Sequence, residues 1–127
     1  MPDSPNNKGK TIRRKVLGNQ HVDNAEKETT DFDADFQNYI TKNAWGDVWA
    51  REGTLTLRDR SLLTLTLLAA AGHDKEFEMH IRATANTGAT KEEVKETLLH
   101  MAVYIGVPVS NHFIKIAKRV YNEMEGT

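Results

Sequence analysis

The sequence predicts an all-α bundle of about five to six helices preceded by an N-terminal arm. Three observations carry that expectation. Apolar residues recur at spacings of three and four through successive segments, the repeat of a helix with one buried face. Residues that start and stop helices stand between those segments. No stretch shows the alternation of a half-buried strand.

Residues 1–11, rich in Pro, Ser, Asn, Gly and Lys without periodicity, read as a flexible tail, because such a composition offers little apolar surface to offset ordering entropy. Residues 12–127 read as a single helical domain. "IRRKVLGNQHVDNA" from Ile12 reads as an arm: Val16 and Leu17 offer packing, Gly18 ends a segment, and His21 and Asp23 fall in a loop or short turn. Thr30 or Asp31 caps a first helix whose apolar face is Phe32, Phe36, Tyr39 and Ile40, and Gly46 interrupts its continuation into "AWGDVWAREG". Thr56 and Asp59 imitate a capping box before "RSLLTLTLLAAAG", which Gly72 terminates. The third helix spans roughly Asp74 to Thr87 with Gly88 at its end, and its inward stripe is Phe77, Ile81 and Thr84. Thr90 and Glu93 form a capping box for a fourth helix carrying Val94, Leu98, Met101 or Ala102, and Ile105. Gly106 and Pro108 break the chain before a fifth, with Phe113, Ile116 or Ala117, Val120 and Met124 facing inward.

Composition narrows the function. The 127 residues hold 17 Lys+Arg against 18 Asp+Glu, a formal net charge of -1, so no broad field draws the chain to nucleic acid or an anionic membrane. There is no cysteine, which excludes disulfides, thiol nucleophiles and cysteine-ligated zinc. The polar N-terminus has no secretory core, so a cytoplasmic location is expected. The apolar tract from Leu62 falls short of the ~20 residues that cross a bilayer. A five-helix chain of this size buries its apolar faces poorly alone, so self-association is expected.

The candidate chemistry centres on the third helix. His80 lies about 70° from the centre of the apolar stripe, at about 100° per residue, and is expected half-buried at its rim. Glu76, one turn earlier, is placed to orient its ring and raise its pKa; a surface pair or a core-edge histidine is the alternative. His73, Glu76 and His80 share a face, but without H-E-x-x-H no metal site is assigned. Arg13, Arg14, Arg60 and Arg82 are candidates for carboxylates, the partner a guanidinium fork suits. Trp45 and Trp49, four residues apart, are packing anchors or the wall of an apolar pocket. Tyr104 and Asn111 flank the turn at Gly106 and Pro108, where capping is the alternative role.

The ordered set "RRKVLG" (Arg13 to Gly18), "HVD" (His21 to Asp23), "AWGDVWAR" (Ala44 to Arg51), "RSLLTL" (Arg60 to Leu65), "HIRATANTG" (His80 to Gly88), "YIGVPVSNH" (Tyr104 to His112) and "AKRV" (Ala117 to Val120) resembles the carboxymuconolactone decarboxylase family of the alkylhydroperoxidase-D-like superfamily. The resemblance implies an all-helical, cofactor-free homo-oligomer, with a hexamer favoured and a trimer as alternative, acting in protocatechuate catabolism through the β-ketoadipate pathway. Peroxidase-like members carry C-x-x-C-x-x-x-H where this chain has "HDKEFEMH", so His73 and Glu76 stand in the cysteine positions and His80 keeps the histidine.

The implied substrate is a carboxylated lactone, 4-carboxymuconolactone, that loses CO2 to give 3-oxoadipate enol-lactone. On that reading His80, oriented by Glu76, returns the proton or hydrogen-bonds the carbonyl. Arg13 or Arg14, with Arg60 or Arg82, holds the spectator carboxylate. Trp45 and Trp49 surround the departing one, and His21 closes the pocket from its own or a neighbouring subunit. Two alternatives stand beside it: a decarboxylase or isomerase of another small carboxylated lactone, and a non-catalytic helical oligomer that binds a metabolite.

Overall fold

The computed structural model describes residues 4–126. Among them are seven α-helices and one π-helical segment, with no strand. Two compact units divide the chain, Met1–Leu57 and Arg58–Thr127.

In the N-terminal unit, α1 (Pro5–Leu17) and α2 (Asn19–Glu28) are helices where the sequence suggested a tail and a loop. Residues 1–3 of that expected tail lie outside the described residues. The local signal for α1 is Ser4, whose hydroxyl accepts from the Asn7 N–H at 3.2 Å, followed by Pro5 at the first helical position. His21 and Asp23 lie on α2. α3 (Ala34–Ile40) runs without a break into the π segment Thr41–Trp49, so Gly46 sits inside a widened helix rather than interrupting one.

Packing explains that widened stretch. A methyl group on Gly9 would lie 1.9 Å from the Thr41 carbonyl oxygen, and one on Gly46 would lie 2.0 Å from the Pro5 carbonyl oxygen. Backbone meets backbone at both positions, so α1 and the π segment approach as only glycine permits. Trp45 and Trp49 are buried, with ring centroids 5.0 Å apart. Phe32 precedes α3 and is 98% exposed; Phe36 and Tyr39 are also exposed. The apolar face read from their spacing is real but is not covered by this chain.

The C-terminal unit holds the main core. α4 (Leu57–Ala71), α5 (Asp74–Thr87), α6 (Lys91–Ile105) and α7 (Val107–Met124) follow the expected boundaries closely. Gly88, at φ +86°, is the left-handed residue that closes α5. The capping box between Thr90 and Glu93 is formed in both directions, at 3.1 and 2.9 Å. Leu65, Phe77, Ile81, Val94, Leu98, Phe113 and Val120 build a contiguous core, with the Phe77 and Phe113 rings edge-on at 4.8 Å. Two contacts of buried hydroxyls join helices: Ser61 and Thr87 bond at 2.9 Å, tying α4 to α5, and Ser110 donates to the Leu98 carbonyl at 2.6 Å. No described helix is long and apolar enough to cross a membrane.

Candidate functional site

His80 is the one buried histidine of five. It is 6% exposed, whereas His21, His73, His100 and His112 are exposed. Its neighbours on α5 are the core residues Phe77, Ile81 and Thr84, so the ring sits deeper than the half-buried rim position expected.

The Glu76 side chain is exposed, whereas His80 is buried. The two are four residues apart, but α5 turns one inward and the other to solvent. Glu76 has a plainer role: with Asp74 it puts negative charge in the first turn of α5, where the helix dipole favours it. His73 precedes the helix in an exposed position. No three His, Asp or Glu side chains converge on a metal position among the described residues.

The arginines divide by whether their charge is already answered. Arg14 meets Asp23 at 2.9 Å and Glu26 at 3.2 Å, and these contacts, the Asp23 hydrogen bond foremost, raise its pKa. Arg82 meets Glu78 at 3.1 Å and also Glu123, in an exposed quartet closed by Arg119. Arg60, half-buried on α4, forms no ion pair among the described residues, and its Nε is buried without a hydrogen-bond partner. It stands next to Ser61, whose partner Thr87 is seven residues beyond His80 on α5. At ~1.5 Å per residue this puts roughly 10 Å of helix between the His80 and Thr87 levels.

Arg13 is the counterpart in the N-terminal unit. It donates to Thr41 Oγ1 at 3.4 Å and to Gln37 Oε1 at 3.3 Å, both uncharged, while its Nε is buried without a partner. Burial lowers its pKa, an effect opposed by nearby Glu26; a guanidinium nevertheless stays charged. It lines a cavity of about 390 Å³ with Lys10, Arg14, Glu26, Gln37 and Thr41. Sequence reading missed Lys10, Gln37 and Thr41. The available signal was Lys10, Arg13 and Arg14 at i, i+3 and i+4, one helical face, but the segment holding Lys10 had been read as a tail. Of the remaining candidates, His21 is exposed on α2, Tyr104 is 77% exposed at the end of α6 beside His100, and Asn111 is exposed on α7.

Residues 34–119 match the carboxymuconolactone decarboxylase family. An Acinetobacter baylyi protein named 4-carboxymuconolactone decarboxylase is 43% identical over 116 residues, covering 91% of this chain and 86% of the relative. A Metarhizium robertsii protein named nitrosuccinic acid decarboxylase is 39% identical over 116 residues, covering 91% and 80%. A Pseudomonas putida protein, again named 4-carboxymuconolactone decarboxylase, is 46% identical over 39 residues, covering 31% and 81%.

Proposed function

Because the chain belongs to the carboxymuconolactone decarboxylase family, we propose that it is a carboxy-lyase converting 4-carboxymuconolactone to 3-oxoadipate enol-lactone and CO2, the β-ketoadipate step of protocatechuate breakdown. The observation that carries the assignment of a proton donor is the burial of His80 alone among the histidines, on a helix inside the family match.

The substrate explains why this chemistry needs few protein groups. The bond from the γ carbon to its carboxylate breaks, and the electron pair moves through the ring alkene onto the lactone carbonyl oxygen. The resulting 2-oxyfuran-like dienolate takes one proton at the α carbon. Since the ring accepts the electrons, the protein's share is to hold the dianion, favour its loss of charge and deliver the proton. His80 delivers it, work worth ~10²–10⁴ in rate for a positioned general acid. Arg60 takes the spectator carboxylate, supported by its half-buried guanidinium, which has no ion pair among the described residues. A carboxylate in apolar surroundings is poorly solvated and loses CO2 more readily.

We read the working form as a homo-oligomer, with a hexamer favoured. Its support is the apolar surface left uncovered on α3 and α6, at Phe36, Tyr39, Leu99, Val103 and Tyr104.

The identity to the nitrosuccinic acid decarboxylase over the same share of chain favours a second reading, decarboxylation of a different small dicarboxylate that carries its own electron acceptor. Both readings are tested by measuring CO2 release from 4-carboxymuconolactone and from nitrosuccinate, with the lactone's ultraviolet change followed separately. The expected result is turnover of the lactone, with kcat reduced at least ~tenfold in His80→Gln. CO2 release only from nitrosuccinate would replace the substrate, and wild-type turnover by His80→Gln would remove the histidine from the mechanism.

A further inference from the structure

We propose that the cavity between α1, α2 and the segment running from α3 into the π helix is a binding site for a small dicarboxylate, anchored by Arg13 with Lys10 as its second cation. It shares with the reading above only the dianionic character of the substrate, and it lies wholly within residues 10–41.

The charge inventory of this cavity is unbalanced. Of its three cations, Arg14 is neutralised by Asp23 and Glu26. Arg13 and Lys10 form no ion pair among the described residues. Arg13 is the more telling, because it is half-buried and its two hydrogen bonds go to neutral oxygens at 3.3 and 3.4 Å. A guanidinium facing a carboxylate normally sits at about 2.7–2.9 Å. A partly desolvated cation with long, uncharged contacts and a buried unpartnered Nε is an incomplete arrangement, and an anion completes it.

The geometry selects the class of anion. Lys10 and Arg13 are three residues apart on α1, so their Cβ atoms lie about 5–6 Å apart on one face. Two carboxylates joined by a short carbon chain span that separation. The cavity, at about 390 Å³, is in the range of small-molecule sites. Gln37 and Thr41 already hold the guanidinium and so fix its orientation. Glu26 also lines the cavity and opposes a second negative charge, which limits affinity and gives the site a distinctive mutational signature.

There is a chemical consequence. An arginine stabilises the ionised ground state of the carboxylate it holds, the opposite of what bond cleavage needs. 4-Carboxymuconolactone has two carboxylates and its decarboxylation product one, so this cavity favours substrate over product.

The test uses the full chain and succinate, an unreactive dicarboxylate, titrated by calorimetry or ligand-observed NMR with propionate as the single-charge control. Saturable succinate binding is expected in wild type and in His80→Gln, with propionate weaker. Arg13→Met should weaken succinate by about tenfold, the scale of one charge-assisted hydrogen bond. Lys10→Gln should weaken it less, and Glu26→Gln should tighten it. Lys10 and Glu26 are exposed, so their opposite shifts carry the test if Arg13→Met fails to fold. Succinate that binds equally well to all variants, or shows no saturation, overturns the proposal even if CO2 release is confirmed. Where binding is found, competitive inhibition of lactone turnover by succinate and a raised KM in Lys10→Gln assign the site to substrate; an unchanged KM assigns it to a separate dicarboxylate.

Discussion

Glu78 and Glu123 show how single residues set a pH response. Hydrogen bonds from Arg119 and then Arg82 lower the pKa of Glu78, and those from Arg82 and then Arg119 lower that of Glu123. A carboxylate whose pKa is depressed by folding stabilises the folded state above its ordinary pKa, near ~4. It loses that contribution as pH falls through the lower folded value. Replacing both by glutamine should therefore lower the urea midpoint at pH 7, with the gap to wild type closing as pH drops below about 4. A gap of constant size across pH 7 to 3 would contradict the linkage. The same quartet bears on substrate binding, since it occupies Arg82 on an exposed surface and leaves Arg13 and Arg60 as the arginines of the expected set without an ion pair among the described residues. Composition counted the cations; only their neighbours distinguish the answered from the unanswered.

Among the elements, α1 and the π segment approach each other closely at two glycines. Gly46 presses on the Pro5 carbonyl and Gly9 on that of Thr41, so an added methyl has backbone, not a mobile side chain, in its way. Gly46→Ala should destabilise the chain by about 1–3 kcal/mol, the usual cost of overpacking, despite alanine's better helix propensity. Urea denaturation measures this; a stabilised or unchanged variant would show that α1 can move away at no cost. The arm was hard to read for the same reason. Its signal is a cap at Ser4 and a glycine face, not an apolar stripe, whereas α5 and α6 announced themselves through the stripe of Phe77, Ile81 and Thr84 and the Thr90 to Glu93 box.

For the whole molecule, the surface says more than the core. Val103 and Tyr104 are each 77% exposed on α6, with Leu99 and Val107 exposed nearby. Exposed apolar side chains grouped in this way are the surface on which the proposed homo-oligomer is tested. If the proposed homo-oligomer forms through this surface, Val103→Glu should shift it toward smaller species, measured by sedimentation velocity, because an unpaired carboxylate in an interface is costly; an unaltered mass would contradict an interface here.

The all-helical class, the α4 to α7 boundaries and the burial of His80's neighbours followed from sequence, because helix period and caps are local properties. The same periodicity put Phe32, Phe36 and Tyr39 on an inward face that this chain leaves exposed, since an apolar stripe demands a partner without naming it. Tertiary structure alone decided that Glu76 turns away from His80, that Arg14 and Arg82 are already engaged, and that Arg13 shares a cavity with Lys10. Each of those outcomes depends on what other parts of the chain pack against a helix: spacing says which side chains share a face, not whether that face is buried or which charges meet it.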